Sequence, residues 1–327
     1  MHDIAVIGAG RIGKIHAANV AAHPGLRLAC IVDPMAEAAT ALAEQYGAQV
    51  RSADDALADP AIRGVIVASS TDTHLDFSLA AAKAGKAVFC EKPLDQDLTR
   101  ARAAAGELDA LGARLFLAFN RRFDVNFAAL QAKLAAGAVG RIETLHIISH
   151  DPAPPPADYV KTSGGIFKDM VIHDFDMARW LLAEDVTEVF ASSSVLIDPA
   201  IGEAGDADTA KTILRTASGR LCVISSSRRS GYGYDQRIEA FCSNGMIRAQ
   251  NQLESTVETW GEEGAAADRF QNFFLDRYAG AYAREIAHFA EVIDGAAPLI
   301  TQRDGIESLV LAEAAARSAA EGVVVRL

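Results

Sequence analysis

The first third of the chain alternates short, fully apolar runs with longer stretches in which apolar residues recur at helical spacing. The apolar runs predict strands at Ile4–Ile7, Leu28–Val32, Val65–Ala68, Ala87–Cys90 and Leu115–Phe119. The helical stretches cover about residues 12–22, 36–46, 75–84 and 98–111. Strands that are apolar throughout and are joined by helices pair in parallel and are covered on both faces. We therefore expect an α/β domain with a Rossmann-type, doubly wound parallel sheet over residues 1–120.

After residue 120 the pattern changes, because strand-like stretches follow one another without helices between them. The predicted elements are a helix over 123–136, a strand over 141–150 and an amphipathic helix from Gly165 to Leu182. They continue with strands over 187–196, 208–217, 220–228, 235–242, 245–250 and 253–260, and helices over 268–294 and 305–321. Consecutive strands joined by turns such as Asn244-Gly245 form hairpins. Residues 121–327 should therefore form an α+β domain with an open, mainly antiparallel sheet.

A glycine motif directly after the first predicted strand is typical of dinucleotide binding. Gly8-Ala9-Gly10-Arg11-Ile12-Gly13 has the G-x-G-x-x-G spacing, and the helix that it opens presents amides to a pyrophosphate. Asp33 ends the second predicted strand, twenty positions after Gly13, where a carboxylate accepts hydrogen bonds from the adenosine ribose. Because the same carboxylate would repel a 2′-phosphate, NAD is favoured over NADP. The predicted cofactor residues here are Gly8, Gly10, Arg11, Ile12, Gly13 and Asp33.

Polar residues also follow the later strands, at the edge where open parallel sheets bind ligands. Lys92, in Glu91-Lys92-Pro93, can donate to a substrate hydroxyl and stabilise the alkoxide that develops as hydride leaves. The alternative is an ordinary solvated lysine at a strand end. Arg121 and Arg122 follow the strand at 115–119, where an arginine can meet cofactor or substrate. The further cofactor candidates are Ser69, Ser70, Thr71, His74, Glu91, Lys92 and Arg121.

A second candidate site lies on the helix predicted from Gly165 to Leu182. Asp169 and His173 are four residues apart, so on a helix their side chains share one face. A carboxylate that orients an imidazole suits general-base chemistry, and oxidation of a secondary alcohol needs a base for the hydroxyl proton. The alternative is a surface pair without a catalytic role. Although His146 and His150 lie nearby in sequence, no HExxH motif or cysteine cluster accompanies them, so no metal site is expected.

Composition and charge narrow the class of protein. The chain has 327 residues, half of them hydrophobic, and a formal net charge of −12, which disfavours nucleic acids and anionic membranes as partners. No apolar run is long enough to span a bilayer, and the N-terminus lacks the features of a secretory signal. Four scattered cysteines without a CxxC pair are typical of a reducing compartment. We expect a cytoplasmic enzyme that acts on a small molecule.

With these motifs assembled, the sequence resembles the glucose–fructose oxidoreductase/inositol dehydrogenase family. The resemblance rests on the glycine motif, on Glu91-Lys92-Pro93 and on Asp169 with His173 and Asp174, which together span both predicted domains. Within the family, the sequence is most similar to bacterial inositol 2-dehydrogenases. The segments that carry this closer similarity are 119–124, 151–155, the helix from Gly164 to Trp180, and 232–237.

The resemblance implies NAD-dependent oxidation of one secondary hydroxyl of a cyclic polyol, such as myo- or scyllo-inositol, to the ketone. By resemblance, His173 is the base, Asp169 is its partner and a substrate ligand, and Lys92 polarises the reacting hydroxyl. Further substrate contacts map to Arg122, Asp151 and Tyr234. The second domain then binds substrate and pairs subunits through its open sheet, so a homotetramer is expected.

Three alternatives remain open. An aldose 1-dehydrogenase would act on a pyranose, whose ring of hydroxyls is nearly that of an inositol, and would give a lactone. A glycosidase with retained NAD would produce no net NADH. A non-catalytic NAD-sensing regulator is the third, although intact Lys92, Asp169 and His173 would be superfluous in a sensor.

Overall fold

The structure is a computed structural model that describes residues 1–327, apart from the side chain of Ala157. Its contacts divide the chain into two units, each made of two segments. Unit 1 contains Met1–Phe123 and Ala281–Leu309, and unit 2 contains Asp124–Gly280 and Val310–Leu327. The sequence predicts a single division, after residue 120. The contacts differ from it chiefly in assigning residues 281–309 to the first unit.

Unit 1 is built on a six-stranded sheet in which all neighbouring strands are parallel. Its strands are β1 (His2–Ile7), β2 (Leu26–Val32), β3 (Gln49–Val50), β4 (Ile62–Val67), β5 (Ala87–Glu91) and β6 (Leu115–Ala118). The connecting helices are α1 (Arg11–Ala22), α2 (Ala36–Tyr46), α3 (Ala53–Ala58), α4 (His74–Lys83) and α5 (Leu98–Ala110). The spatial order β3-β2-β1-β4-β5-β6 is that of a dinucleotide-binding Rossmann sheet. The predicted doubly wound parallel sheet is confirmed.

The core of unit 1 explains why residues 281–309 belong to it. Helix α11 (Ala279–Ile293) contributes the buried ring of Phe289, whose centroid lies 5.7 Å from that of Phe89 on β5. Gly64 on β4 leaves room for the same helix, because a Cβ there would lie 2.8 Å from the Ile293 side chain. A late helix therefore completes the apolar cover of the first sheet.

Unit 2 is built on a seven-stranded mixed sheet. Its strands are β7 (Ile142–His150), β8 (Val186–Ser194), β9 (Thr209–Thr216), β10 (Leu221–Ser227), β11 (Asp235–Cys242), β12 (Gly245–Ala249) and β15 (Val325–Arg326), in the order β12-β11-β7-β10-β9-β8-β15. Strands β7 and β10 pair in parallel, and the other neighbours pair antiparallel. The expected mainly antiparallel sheet is confirmed. A separate hairpin pairs β13 (Glu258–Gly261) with β14 (Gly264–Ala267).

Six further helices accompany these strands: α6 (Val125–Ala135), α7 (Ala157–Ser163), α8 (Ile172–Leu182), α9 (Pro199–Glu203), α10 (Phe274–Arg277) and α12 (Gln302–Glu321). The division between the two units falls within α12. Among the described residues, no helix combines the length and the apolar character needed to cross a membrane.

Three elements predicted for the second half of the chain clearly differ at their starts from those observed. The helix predicted from Gly165 begins as a π-helical turn over Phe167–Val171 and becomes α-helical at Ile172. The strand predicted over 253–260 forms only from Glu258, and the helix predicted over 268–294 begins only at Phe274. The helix starts later because backbone hydrogen bonds pair this segment with an earlier one. The Glu254 amide donates to the Arg269 carbonyl at 2.8 Å, and the Gln271 amide donates to the Gln252 carbonyl at 3.1 Å. Backbone groups used in these paired segments are not available for a helix.

Candidate active site

The strand register of unit 1 brings most of the predicted cofactor residues to one edge of its sheet. Ile7 at the end of β1 pairs with Val32 and with Val67, and Val67 pairs with Cys90. The ends of four strands are therefore level. Glu91 is the last residue of β5, and the residues that follow the strand ends are Gly8, Asp33, Ala68, Ser69 and Lys92. Parallel sheets of this kind bind ligands outside this carboxyl edge.

The three glycines of the motif are required for different reasons. Gly8 has φ +111°, and a Cβ there would lie 2.2 Å from the Ala68 carbonyl oxygen. A Cβ on Gly13 would lie 1.9 Å from the Gly8 carbonyl oxygen, so the turn and helix α1 could not approach each other as they do. A Cβ on Gly10 would meet nothing within 4 Å. Because protein packing does not require Gly10, its missing side chain fits close approach by a dinucleotide.

Asp33 lies beside this glycine motif. Its Oδ2 accepts a hydrogen bond from the Ala9 amide at 2.6 Å, and its Oδ1 accepts one from the Met35 amide at 2.8 Å. These bonds fix the carboxylate at the end of β2. Each carboxylate oxygen can accept more than one hydrogen bond, so both contacts are compatible with bonds from ribose hydroxyls.

His74 contacts the backbone that follows two neighbouring strands, β4 and β5. It is buried at the start of α4, with its Nδ1 2.8 Å from the Pro93 carbonyl oxygen and its Nε2 3.2 Å from the Ser69 carbonyl oxygen. The Ser69 hydroxyl in turn lies 2.6 Å from the Thr73 hydroxyl. His74 therefore braces the backbone around Ser69, Ser70 and Thr71 and positions the turn after Lys92.

Lys92 is half-buried directly after β5, and its peptide bond to Pro93 is cis. The neighbouring Glu91 has one carboxylate oxygen 2.7 Å from Nε2 of His16 and accepts a hydrogen bond from the Lys92 amide at 3.3 Å. His16 is fully buried on α1, the helix that the glycine motif opens. The contact therefore ties the cofactor helix to the strand end that carries Lys92.

Arg121 and Arg122 lie on a 3₁₀ turn after β6, and both are buried. Nη2 of Arg122 donates to Oδ1 of Asp304 at 2.9 Å. Burial would raise the pKa of Asp304, but the Arg122 cation and donors from Thr301 hold it below its ordinary value. Arg122 thus has an ionised carboxylate as a partner within unit 1, in addition to any ligand.

Asp151 and Tyr234, predicted as substrate contacts, lie at one end of the unit 2 sheet. Asp151 follows β7, and its amide donates to the Ser227 carbonyl at the end of β10, at 2.8 Å. Tyr234 directly precedes β11, whose first residue pairs with the last residue of β7. Its ring is buried, with its edge toward Tyr278 at a centroid distance of 6.0 Å.

Asp169 reaches the same end of this sheet from the π-helical turn. Its Oδ1 accepts a hydrogen bond from the Tyr159 hydroxyl at 2.9 Å, and its Oδ2 lies 3.4 Å from both terminal nitrogens of Arg228. Arg228 follows β10 and is buried. His173 follows in the first turn of α8 and is half-buried. Unit 2 therefore brings Asp151 and Asp169 to one end of its sheet, whereas Lys92 and the cofactor residues belong to unit 1.

Metal-ligating clusters and thiols are the other reactive groups that an active site can use. Among the described residues, no group of three or more His, Cys, Asp or Glu side chains could hold a metal ion. All four cysteines are free and buried. Burial raises the pKa of the Cys30 thiol to about 11 and that of Cys90, beside Glu91, to about 12. Thiols with such pKa values are poor nucleophiles at neutral pH.

The comparisons with known proteins agree with this geometry. Residues 2–119 match the oxidoreductase family with an NAD-binding Rossmann fold, and residues 127–248 match the GFO/IDH/MocA C-terminal domain. An inositol 2-dehydrogenase of Rhizobium meliloti is 46% identical over 317 residues, which are 97% of this chain and 96% of that protein. The chain belongs to the GFO/IDH/MocA family.

Two solved structures extend the likeness. A myo-inositol dehydrogenase from Corynebacterium glutamicum is 44% identical, with a TM-score of 0.96 and coverage of 100% of this chain and 99% of that one. A scyllo-inositol dehydrogenase from Lactobacillus casei, solved with bound NAD(H) and scyllo-inositol, is 27% identical, with a TM-score of 0.93 and coverage of 100% and 99%. The family resemblance, the oxidoreductase class and the NAD cofactor inferred from the sequence are confirmed.

The GFO/IDH/MocA motifs did not point to every residue of the site. Arg228 and Tyr159, the partners of Asp169, and His16, the partner of Glu91, were missed. His16 had a usable signal, because Gly13, His16, Ala17 and Val20 recur at helical spacing and form the buried face of α1. Arg228 had none, since it meets Asp169 only through the pairing of strands that are distant in sequence.

Proposed function

We propose that this protein is an NAD-dependent dehydrogenase that oxidises one secondary hydroxyl of an inositol, myo- or scyllo-, to the corresponding ketone. The observation that carries the proposal is the 46% identity over 97% of the chain to a protein named inositol 2-dehydrogenase. Unit 2 supports the proposal, because binding a ring of neighbouring hydroxyls requires several hydrogen-bond acceptors. The carboxylates of Asp151 and Asp169, which lie at one end of its sheet, are such acceptors.

In this proposal His173 is the general base and accepts the hydroxyl proton as the carbon–hydrogen bond breaks. Asp169 orients the imidazole and stabilises the imidazolium that forms. Its own carboxylate is held by Tyr159 and Arg228, so it needs little rearrangement to do so. Bound NAD supplies the acceptor for the hydride.

Lys92 donates a hydrogen bond to the reacting oxygen and stabilises the negative charge that develops on it. For this role the proposal requires Lys92 and His173 to act on the same hydroxyl. We assign Arg122, Asp151 and Tyr234 to hydroxyls that do not react, together with Asp169. These contacts would select a cyclic polyol over an open-chain hydroxy acid, which has fewer hydroxyls to bind.

The cofactor assignment combines the glycine motif with the residues at the ends of β4, β5 and β6. Gly8, Gly10, Arg11, Ile12 and Gly13 take the pyrophosphate, and Asp33 takes the ribose. Ser69, Ser70, Thr71, His74, Glu91, Lys92 and Arg121 complete the proposed lining. This assignment is supported by the position of these residues after parallel strands whose carboxyl ends are level, because open parallel sheets bind ligands at that edge.

The direct test is NADH formation by the purified protein with excess NAD. The substrates are myo-inositol, scyllo-inositol, D-glucose, L-glucose and a 2-hydroxy acid. We expect turnover with an inositol and none with the hydroxy acid. Preference for an aldose would replace the inositol assignment with a lactone-forming one. Absence of turnover on the whole panel, with NAD bound, would contradict dehydrogenation and favour a glycosidase with retained NAD or a sensor.

Two variants test the catalytic roles. We expect His173→Ala and Lys92→Ala each to lower kcat by at least about 100-fold while NAD still binds, because a general base or a charged donor contributes that much. Lys83→Ala is the matched control, since Lys83 is exposed on α4 and pairs with Glu107 at 2.8 Å. Full turnover of either catalytic variant would exclude the proposed mechanism.

We further propose a cytoplasmic homotetramer whose subunits pair through the open face of the unit 2 sheet. Four buried free cysteines are compatible with a reducing compartment. The sheet supports pairing because it presents large exposed apolar side chains, among them Phe190, Ile213 and Phe241. Large exposed apolar patches mark interaction surfaces.

A further inference from the structure

We propose that Arg228 and Asp206 are positioning residues that set the charge around Asp169 and thereby the basicity of His173. The inference deepens the proposed function and rests on it for the roles of Asp169 and His173. It identifies a chain of alternating charges, Asp206–Arg228–Asp169, that ends four residues before the proposed base. All of its members belong to unit 2.

Arg228 is the centre of this chain. Its side chain is 2% exposed, and its terminal nitrogens lie 3.4 Å from Oδ2 of Asp169, with Nη2 also 3.5 Å from Oδ2 of Asp206. Its amide donates to the Asp208 carbonyl at 2.8 Å, which fixes the backbone where it leaves β10. A buried guanidinium remains charged, so it needs nearby carboxylates. The distances suit ionic pairing with both aspartates rather than one bidentate bond.

Asp206 holds the other end of the chain and also the turn that carries Asp169. Its Oδ1 accepts a hydrogen bond from the Ile166 amide at 2.9 Å, just before the π-helical turn. Gly165, with φ +82°, permits this approach, since a Cβ there would lie 3.0 Å from the same oxygen. One carboxylate therefore positions both the cation and the backbone leading to Asp169.

The charges of the chain add up in a way that suits proton abstraction. Two carboxylates and one guanidinium give a net charge of −1, and a proton on His173 brings the group to neutrality. Without Arg228 the same site would carry −2, and without the Asp206 charge it would carry none. We expect a change of one unit charge in this partly buried group to shift the pKa of a neighbouring imidazole by about one unit.

Other charged or titratable groups also lie on or near this turn. Tyr159 donates to Asp169, and Lys168 points its ammonium to Glu313 at 3.0 Å. Asp174 and Asp176 are buried on α8. The Asp208 carboxylate accepts hydrogen bonds from the backbone amides of residues 196–198. These groups stay unchanged in the variants below, so shifts between those variants report on the Asp206–Arg228–Asp169 chain.

The test compares the acidic limb of the kcat/KM–pH profile in Asp206→Asn, Arg228→Met and the double variant. We expect Asp206→Asn to move the limb about one unit lower and Arg228→Met to move it about one unit higher. The double variant restores the net charge of −1, so its limb should return to within about 0.3 unit of the wild-type value. A merely structural role predicts additive loss of activity without opposite shifts.

Matched controls keep the interpretation specific. Glu203→Gln removes an exposed carboxylate three residues before Asp206, and it should not move the limb because a solvated charge is screened. Circular dichroism and thermal unfolding establish that each variant folds. Arg228→Lys keeps the charge and should keep the wild-type limb even if kcat falls.

A second readout separates this inference from the proposed function. The imidazole titration of His173, followed by NMR of labelled histidine and assigned with His173→Gln, needs no turnover. Its midpoint should fall in Asp206→Asn, rise in Arg228→Met and return in the double variant. Equal midpoints in folded variants would contradict the proposed role of Asp206 and Arg228, even if the wild type oxidises inositol. If the midpoints shift in opposite directions in a protein that oxidises no polyol, the role of Asp206 and Arg228 stands and the proposed substrate is wrong.

Discussion

The carboxylate of Asp33 is fixed by the amides of Ala9 and Met35, at 2.6 and 2.8 Å. A negative charge held at this place favours a ribose with free hydroxyls and repels a 2′-phosphate. We expect Asp33→Ser to lower kcat/KM for NAD by about 10- to 100-fold, because hydrogen bonds to a charged acceptor are lost. The kcat/KM for NADP should rise relative to NAD. The measurement is the ratio of the two values with the preferred polyol.

The control for this variant is Glu37→Gln, which removes an exposed carboxylate from the first turn of α2, close to Asp33 in sequence. It should leave the cofactor ratio unchanged, since a solvated charge is screened. An unchanged ratio in Asp33→Ser itself would show that other residues exclude NADP.

At the residue scale, motifs that are local in sequence were predictable and long-range partners were not. The three glycines and Asp33 are separated by fixed spacings, because one strand, one turn and one helix place them. Arg228 is 59 residues from Asp169, and no spacing rule relates them. Its contact depends on which strands pair in unit 2, and that pairing is decided by packing over the whole sheet.

Helix α11 carries an acidic side chain on the face that it packs against the first sheet. Glu285 is fully buried, and neither of its carboxylate oxygens has a hydrogen-bond partner. Burial raises the pKa of Glu285 well above the ordinary 4.5, and the nearby charge of Glu91 raises it further. The acid is therefore protonated in the folded protein over a range in which the unfolded chain has lost the proton.

This difference in protonation predicts how stability changes with pH. The contribution of Glu285 is most favourable below about pH 4.5 and is lost as the pH rises toward the raised value of the folded state. Glu285→Gln removes the titration while keeping the shape. We expect the Tm of the variant to exceed that of the wild type by a margin that grows as the pH rises above about 4.5. The underlying free energy changes by up to about 1.4 kcal/mol per pH unit.

The measurement is thermal unfolding of both proteins across this range, without NAD. Glu291→Gln is the control, because Glu291 lies on the same helix but is 68% exposed beside His288. Its difference from wild type should not depend on pH in this way. Parallel Tm curves for Glu285→Gln and wild type would contradict the protonated, buried state.

At the element scale, the sequence predicted those strands and helices that have one clearly apolar side. The strands of the first sheet are nearly all buried, and their apolar runs showed them directly. In contrast, β13 and β14 are exposed along their whole length, so no hydrophobic pattern marked their ends. The π-helical turn at Phe167–Val171 escaped because one extra residue in a turn hardly changes helical periodicity.

Large apolar side chains remain exposed on one face of the unit 2 sheet. Phe190 pairs with Ile213, and Phe241 pairs with both Thr144 and Met246, so their side chains share that face. These side chains are between 39% and 55% exposed. An open apolar sheet face is costly in water and is a natural surface for a second copy of the chain.

The proposed tetramer makes this face testable. A pairing about a two-fold axis places the same patch on both partners, so a charge introduced once is repeated across the interface. We expect Ile213→Glu to lower the mass measured by light scattering from four chains to two or one, because like charges would be buried together. Leu111→Glu, at a 44% exposed position after α5, should leave the mass unchanged. If Ile213→Glu remained tetrameric, subunits would have to pair through another surface, and the exposed apolar face would need a different partner.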